Sequence, residues 1–150
     1  MISAAQIIEF FNMEPIPSEG GYFSVSHRDG DTSSAIMFLV TKDSFSRMHK
    51  LPADEVYHFY IGDPVEQLQL FADGTGRVVR LGHNILNGDF IQYTAPADCW
   101  QGTRLADGGE WALLGTTMAP AWNDSFYTDG VLEELLRGWP DFEAEILKRT

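Results

Sequence analysis

The stretch Ser46-Arg47-Met48-His49-Lys50-Leu51-Pro52-Ala53-Asp54-Glu55-Val56-Tyr57-His58-Phe59-Tyr60-Ile61-Gly62-Asp63-Pro64 decides the fold. A histidine closes one short β-prone run, and Pro52-Ala53-Asp54 makes a turn. A carboxylate then opens a second run that ends at Gly62. Side chains alternate between the faces of a strand, so Glu55, Tyr57, Phe59 and Ile61 share one face. Val56, His58 and Tyr60 share the other. If Glu55 faces an interior, Tyr57 stands beside it and His58 points away unless a bulge breaks the alternation.

Outward from this stretch the texture is the same. Runs rich in β-branched and aromatic residues fall at Tyr22–Arg28, Ala35–Thr41, Arg47–Leu51, Val56–Ile61 and Val65–Phe71. Further runs fall at Arg77–Leu81, Asp89–Tyr93, Ala97–Arg104 and Glu110–Met118. Asp73-Gly74, Asn87-Gly88 and Asp107-Gly108-Gly109 supply turns between them. Many short strands with frequent turns predict a mainly β sandwich or closed barrel rather than a βαβ sheet. Ser3-Ala4-Ala5-Gln6 is a capping box before Ile7, Ile8, Phe10 and Phe11, which predicts an N-terminal helix ending before Pro15. Val131–Arg137 and Phe142–Arg149 predict a helical tail broken at Trp139-Pro140. No linker or repeat interrupts the 150 residues, so a single domain spanning 1–150 is expected.

The net charge is −12, from 10 basic and 22 acidic residues. Such a surface repels phosphate backbones and anionic lipid heads, which argues against nucleic-acid and membrane partners. Cys99 is the only cysteine, so no intrachain disulfide forms, which suits a reducing compartment. The first residues carry no basic segment ahead of an apolar one, and no run is long enough to cross a bilayer. The expectation is a cytoplasmic protein.

With these residues in view, the sequence resembles the cupin superfamily. The first cupin motif carries two histidines one residue apart, then a glutamate, then a glycine after six residues. Glu55 and Gly62 fit that spacing and His49 takes the first histidine position, while Leu51 stands at the second. The second motif is similar to Pro96-Ala97-Asp98-Cys99-Trp100-Gln101, with Asp98 in place of its glycine and Gln101 in place of its histidine. The match is closer to an uncharacterised family of small single-domain cupins, of unknown function and with a jelly roll like that of sugar-nucleotide epimerases. Glu19-Gly20-Gly21-Tyr22-Phe23, Phe45-Ser46-Arg47-Met48-His49 and Gly62-Asp63-Pro64 resemble its blocks, as do Trp100-Gln101 and Gly115 to Pro120. The resemblance implies a jelly-roll cupin barrel (a double-stranded β-helix) with an interior small-molecule or metal site, usually as a homodimer.

Within that frame His49, Glu55 and Tyr57 are the candidate catalytic residues. Histidine moves protons near neutral pH, and a carboxylate beside it orients the ring. Glu19, Tyr22, Arg47, Trp100 and Gln101 are candidate ligand contacts: aromatic rings to stack, an amide to hydrogen-bond, a guanidinium for an anionic group, and a glutamate carried over the site. The bland alternative makes His49 and Glu55 a polar barrel mouth that only hydrogen-bonds to itself. No cofactor is expected outright. If a divalent metal were held, His49, Glu55 and Gln101 would hold it, a set with only two strong donors. Three readings stay open: an isomerase or epimerase acting on a sugar or sugar nucleotide, a module that binds a small molecule without chemistry, and a metal-dependent enzyme.

Overall fold

A computed structural model describes residues 1–150. Strands β1 (Glu14–Pro15), β2 (Tyr22–Asp29), β3 (Ser33–Thr41), β4 (Ser46–Lys50) and β5 (Glu55–Gly62) fill the first half. Strands β6 (Val65–Leu70), β7 (Gly76–Leu81), β8 (Gln92–Ala95), β9 (Trp100–Leu105), β10 (Trp111–Met118) and β11 (Thr128–Asp129) follow. They form two antiparallel sheets, ordered β1-β2-β3-β10-β5-β8 and β11-β4-β9-β6-β7. Helix α1 (Ala4–Phe10) precedes them, and α2 (Leu132–Gly138) and α3 (Glu143–Leu147) close the chain. This is the jelly-roll barrel the sequence predicted. No helix is long and apolar enough to cross a membrane.

Alternation along each strand builds two kinds of core. Phe38, Val40, Tyr57, Phe59, Val65, Leu81, Leu105 and Leu114 come from both sheets and meet between them. Leu68, Leu70 and Met48 point out of the second sheet and are covered by Leu135 of α2 and Ile146 of α3. Helix α1, capped by Ser3 and Gln6 as expected, lays Ile7 on Leu39 and Leu113 outside the first sheet. Each buried aliphatic side chain contributes about 1.5–3 kcal/mol, so the helices are held by what the sheets leave uncovered.

Two strand expectations need correction. Asp89–Tyr93 is not a strand: Ile85–Asn87 is a 3₁₀ turn, Phe90 makes one isolated bridge to Leu81, and pairing with β5 begins only at Gln92. The strand expected at Ala97–Arg104 starts at Trp100. Asp98 lies at φ 65°, and its N–H donates to the Leu51 carbonyl, so Pro96–Cys99 is a turn pinned to the end of β4. The two-residue strands β1 and β11 carry no sequence period of their own and went unanticipated.

Gly20 and Gly21 link β1 to β2 at φ 94° and 76°, in the left-handed region that glycine adopts without strain. A Cβ on Gly20 would run into the carbonyl oxygen of Phe45, and one on Gly21 would come within 2.6 Å of the Phe38 ring. The chain before β2 is therefore pressed against the segment before β4, which brings Glu19 to the barrel mouth. Gly20→Ala should cost about 3 kcal/mol or more, from left-handed strain plus the backbone clash. Urea unfolding of variant and wild type would measure it, and a loss below about 0.5 kcal/mol would refute the close approach.

Candidate functional site

The site begins with an irregularity in β4. Ser46 pairs with Thr103 and His49 with Gln101, so three steps on β4 match two on β9. The extra residue is a β-bulge, and it turns both Ser46 and His49 inward although they are an odd number apart. Arg47 is exposed and Met48 is buried outward. The displaced backbone groups find other partners. Arg47 N–H donates to the Glu19 carbonyl, Met48 N–H to the Arg149 carbonyl, and Gly130 N–H to the Met48 carbonyl. The Arg47 carbonyl accepts from His49 Nδ1 at 2.7 Å.

That last bond fixes the imidazole. A carbonyl can only accept, so Nδ1 carries the hydrogen and Nε2 is the atom that titrates. Nε2 lies 3.6 Å from Glu19 Oε1, while Ser46 Oγ donates to Glu19 Oε2 at 2.9 Å. Tyr127 stacks on the imidazole, centroids 5.3 Å apart, and seals it from solvent.

Glu19, Glu55 and Tyr57 line a cavity of about 380 Å³ bounded by the first sheet and the segments around Pro17 and Trp122, with Thr116 beside Glu55. Phe23, Phe38, Met118 and Trp122 form its apolar wall. Beneath the cavity a chain of side-chain hydrogen bonds runs through the barrel. Arg77 Nε donates to Gln69 Oε1 at 3.0 Å, Gln69 Nε2 to Gln67 Oε1 at 2.7 Å, and Gln67 Nε2 to Thr103 Oγ1 at 2.9 Å. The direction is forced at its start: a guanidinium can only donate, and Gln69 Nε2 also meets the Thr94 carbonyl, which can only accept. Thr103 thus keeps its own proton for the neighbouring Tyr57 oxygen. Tyr57 sends its hydroxyl proton to Gln101 Oε1 at 2.8 Å.

Burial governs the ionisation here. It pushes Glu19 up to about 7 against the pull of the Ser46 hydrogen bond. It raises Glu55 as well, reinforced by the charge of Glu19. It holds His49 below the usual imidazole value against the opposing pull of Glu55, and lifts the Tyr57 phenol well above its own. Two carboxyl groups and a neutral imidazole thus share one desolvated corner, both carboxyls raised and Glu19 holding its proton close to neutral pH.

A family model described as Cupin superfamily (DUF985) matches residues 5–128. The chain belongs to that family. Among solved structures, a hypothetical protein from Leishmania major is 25% identical over 99% of both chains, with a TM-score of 0.91. A protein from Shewanella oneidensis is 25% identical over 100% of this chain and 98% of its own, with a TM-score of 0.92. A cupin 2 conserved barrel domain protein from Rhodopseudomonas palustris, 13% identical over 83% of this chain and 79% of its own, shares the fold at a TM-score of 0.58. No protein of curated function matches.

For a cupin, a divalent metal is the obvious guest to test, and the donors do not fit one. No three His, Cys, Asp or Glu side chains converge in a ligating arrangement. Leu51 packs on Ala53 and Met118 in an apolar cluster, and Gln101 Oε1 is already accepting from Tyr57.

Of the residues singled out from sequence, Glu19, Glu55 and Tyr57 line the cavity, and His49 and Gln101 stand just behind it. Three lie elsewhere. Tyr22 packs under α1 on the outer face, because Phe23 takes the inward position. Trp100 faces the α2–α3 cluster with Lys50 Nζ 4.8 Å from its ring centre. The Arg47 side chain is exposed, and this residue serves the site through its backbone. His58 points away as predicted, bonded to Thr117. Ser46, Thr116, Tyr127 and the Gln67–Gln69–Thr103 chain were missed. Only the polar alternation Glu66-Gln67-Leu68-Gln69 hinted at the last, and it reads equally as a solvated face.

The raised carboxyl has a stability consequence. The unfolded chain releases the Glu19 proton near pH 4.5 and the folded chain only near 7. The stability tied to it is therefore full below 4.5 and lost as pH rises through 7. His49 runs oppositely: its folded value lies below 6.5, so its contribution is present above 6.5 and lost on acidification. Wild type should lose about 3 kcal/mol more than Glu19→Gln between pH 4.5 and 7.5, measured by urea unfolding; parallel curves would contradict the assignment. Arg77→Met strips Gln69 Oε1 of that donor. It should cost about 1–2 kcal/mol and move the Gln69 and Gln67 side-chain amide resonances in ¹⁵N NMR before those of other glutamines.

Proposed function

We propose that the barrel binds a small molecule by a polar end and carries out proton transfer of the isomerase or epimerase type, with Glu19 moving the proton. One observation carries this reading: a buried carboxyl on the cavity wall, held near pH 7 and braced on both oxygens. An acid–base group works best when its pKa lies close to the working pH. Glu19 Oε2 is tied to Ser46, so Oε1 is the atom that exchanges a proton with the ligand, and His49 Nε2 behind it can share that proton. Glu55 and Tyr57 orient the ligand from the floor. His49, the leading base on sequence grounds, becomes the partner of the base, because Glu19 and Tyr127 stand between it and the cavity.

The wall chemistry narrows the ligand. A nucleotide diphosphate would meet Glu19, Glu55 and Asp124, with Arg28 as the lone cation among the lining residues. A sugar or other small molecule without phosphates suits the site better than a sugar nucleotide. Binding without chemistry is the second reading, and it is favoured by Tyr57, whose proton is spent on Gln101 rather than offered to a ligand.

Incubating the protein in D₂O with a panel of neutral and amino sugars, followed by ¹H NMR, tests the proposal. Carbon-bound deuterium should enter one compound, at a rate that Glu19→Gln lowers about a hundredfold or more. A compound that binds saturably and never exchanges or changes would establish the binding module instead.

A further inference from the structure

We infer that the occupant of this cavity carries a protonated amine on an apolar body, with the ammonium seated between Glu55 and Glu19. This deepens the small-ligand reading above and rests on it for the location of the site, though not for the chemistry performed there.

The argument starts from Glu55. It is 7% exposed and its carboxyl opens on the cavity, yet it forms no ion pair. The Thr116 hydroxyl hydrogen-bonds to it, and the Tyr57 hydroxyl lies within reach although its proton goes to Gln101, so its neighbours are neutral. A carboxyl buried to this degree ordinarily has a charged or donor partner. The protein offers hydroxyl donors on this wall but pairs no cation with Glu55. His49 has spent Nδ1 on the Arg47 carbonyl and turns Nε2 toward Glu19. Arg28 is engaged at the rim, donating to the Trp122 carbonyl at 2.9 Å with Asp31 3.9 Å away. A cation carried by the ligand would supply the charged partner that the protein does not.

The rest of the wall specifies that donor further. The Tyr57 hydroxyl gives its proton to Gln101 and its oxygen takes one from Thr103, so it has no proton to offer the cavity. Glu19 adds a second carboxyl, tied to Ser46 through Oε2 and facing His49 Nε2 at 3.6 Å through Oε1. The floor thus presents two carboxyl groups and no free hydroxyl proton, a set that an ammonium can ionise and pair with. Above it Phe23, Phe38, Trp122 and Tyr127 supply aromatic surface, which attracts a cation through ring faces and covers an apolar body. The net charge of −12 draws cations toward the mouth and repels anions.

Three probes of one shape separate the alternatives: 2-phenylethylamine, 2-phenylethanol and phenylacetate, each titrated into the full 150-residue protein by calorimetry at pH 7 and low salt. The amine should bind at least tenfold more tightly than either of the others, and Glu55→Gln should narrow the amine-to-alcohol ratio about tenfold. The three-probe comparison on wild type needs no variant, so a misfolded Glu55→Gln would not leave the question open. Equal or tighter binding of the alcohol or the anion overturns the inference, as does failure of all three to bind at about 10 mM. Amine preference without any proton exchange would remove the catalytic reading and leave this one standing. Exchange on a neutral sugar, with no amine preference, would do the reverse.

Discussion

The bulge at Arg47–Met48 is the constraint on which the site depends. A regular β4 cannot direct both Ser46 and His49 into the barrel, because they are an odd number of residues apart. The extra residue solves this and releases four backbone groups from the ladder. Every one of them is used. Two are taken by the Glu19 carbonyl and the His49 ring, and two by the C-terminal segment through Arg149 and Gly130. The same distortion therefore places the imidazole, selects its tautomer, anchors the loop that carries Glu19, and docks the tail. This explains why so much of the chain beyond the barrel exists. The α2–α3 tail buries Leu135 and Ile146 on Met48, the outward half of the bulge, and so holds the inward half in place.

The polar interior sets a second constraint, because it conflicts with stability. Glu19 and Glu55 would be less costly at the surface, and burial raises the pKa of both. The barrel accommodates them by leaving its other polar atoms fully engaged. Gln67, Gln69 and Thr103 are buried and bonded in an order set by Arg77, and buried Gln101 accepts from Tyr57. A network satisfied in this way stiffens a core, whereas a half-satisfied one would loosen it. The carboxyls of Glu19 and Glu55 face the cavity instead of closing into this network.

How far the sequence discloses this follows the range of each interaction. Alternation is local, so Glu55 and Tyr57 inward and His58 outward are legible from the run Glu55 to Gly62. The resemblance carries Glu19 to the site, and the glycine pair after it marks the sharp approach. Tyr22 and Trp100 are aromatic, β-prone and close to the motifs, yet one residue of phase sends each to an outer face covered by helix. That phase is set by pairing partners far along the chain. The bulge is equally silent, since nothing in Ser46-Arg47-Met48-His49 distinguishes a regular strand from a bulged one. Tyr127, which seals His49, belongs to a segment that becomes structured only by pairing with β4.

The two departures from the cupin motifs acquire a meaning in this setting. Gln101 stands where the motif has a histidine and holds the Tyr57 hydroxyl through its amide oxygen. Leu51 stands at the other histidine position and is sealed into an apolar cluster with Ala53 and Met118. One substitution converts a potential ligand into an anchor for a phenol, and the other withdraws its position from the cavity. Had either histidine remained, its partial positive charge beside Glu55 would have favoured the ionised carboxylate. With both gone, Glu55 and Glu19 have only His49 as a basic neighbour, and its own burial keeps it neutral. The absence of the two imidazoles and the raised pKa values of the carboxyls are thus one physical change: Glu55 and Glu19, desolvated and directed at the cavity, have no cation of the protein's own to hold them ionised.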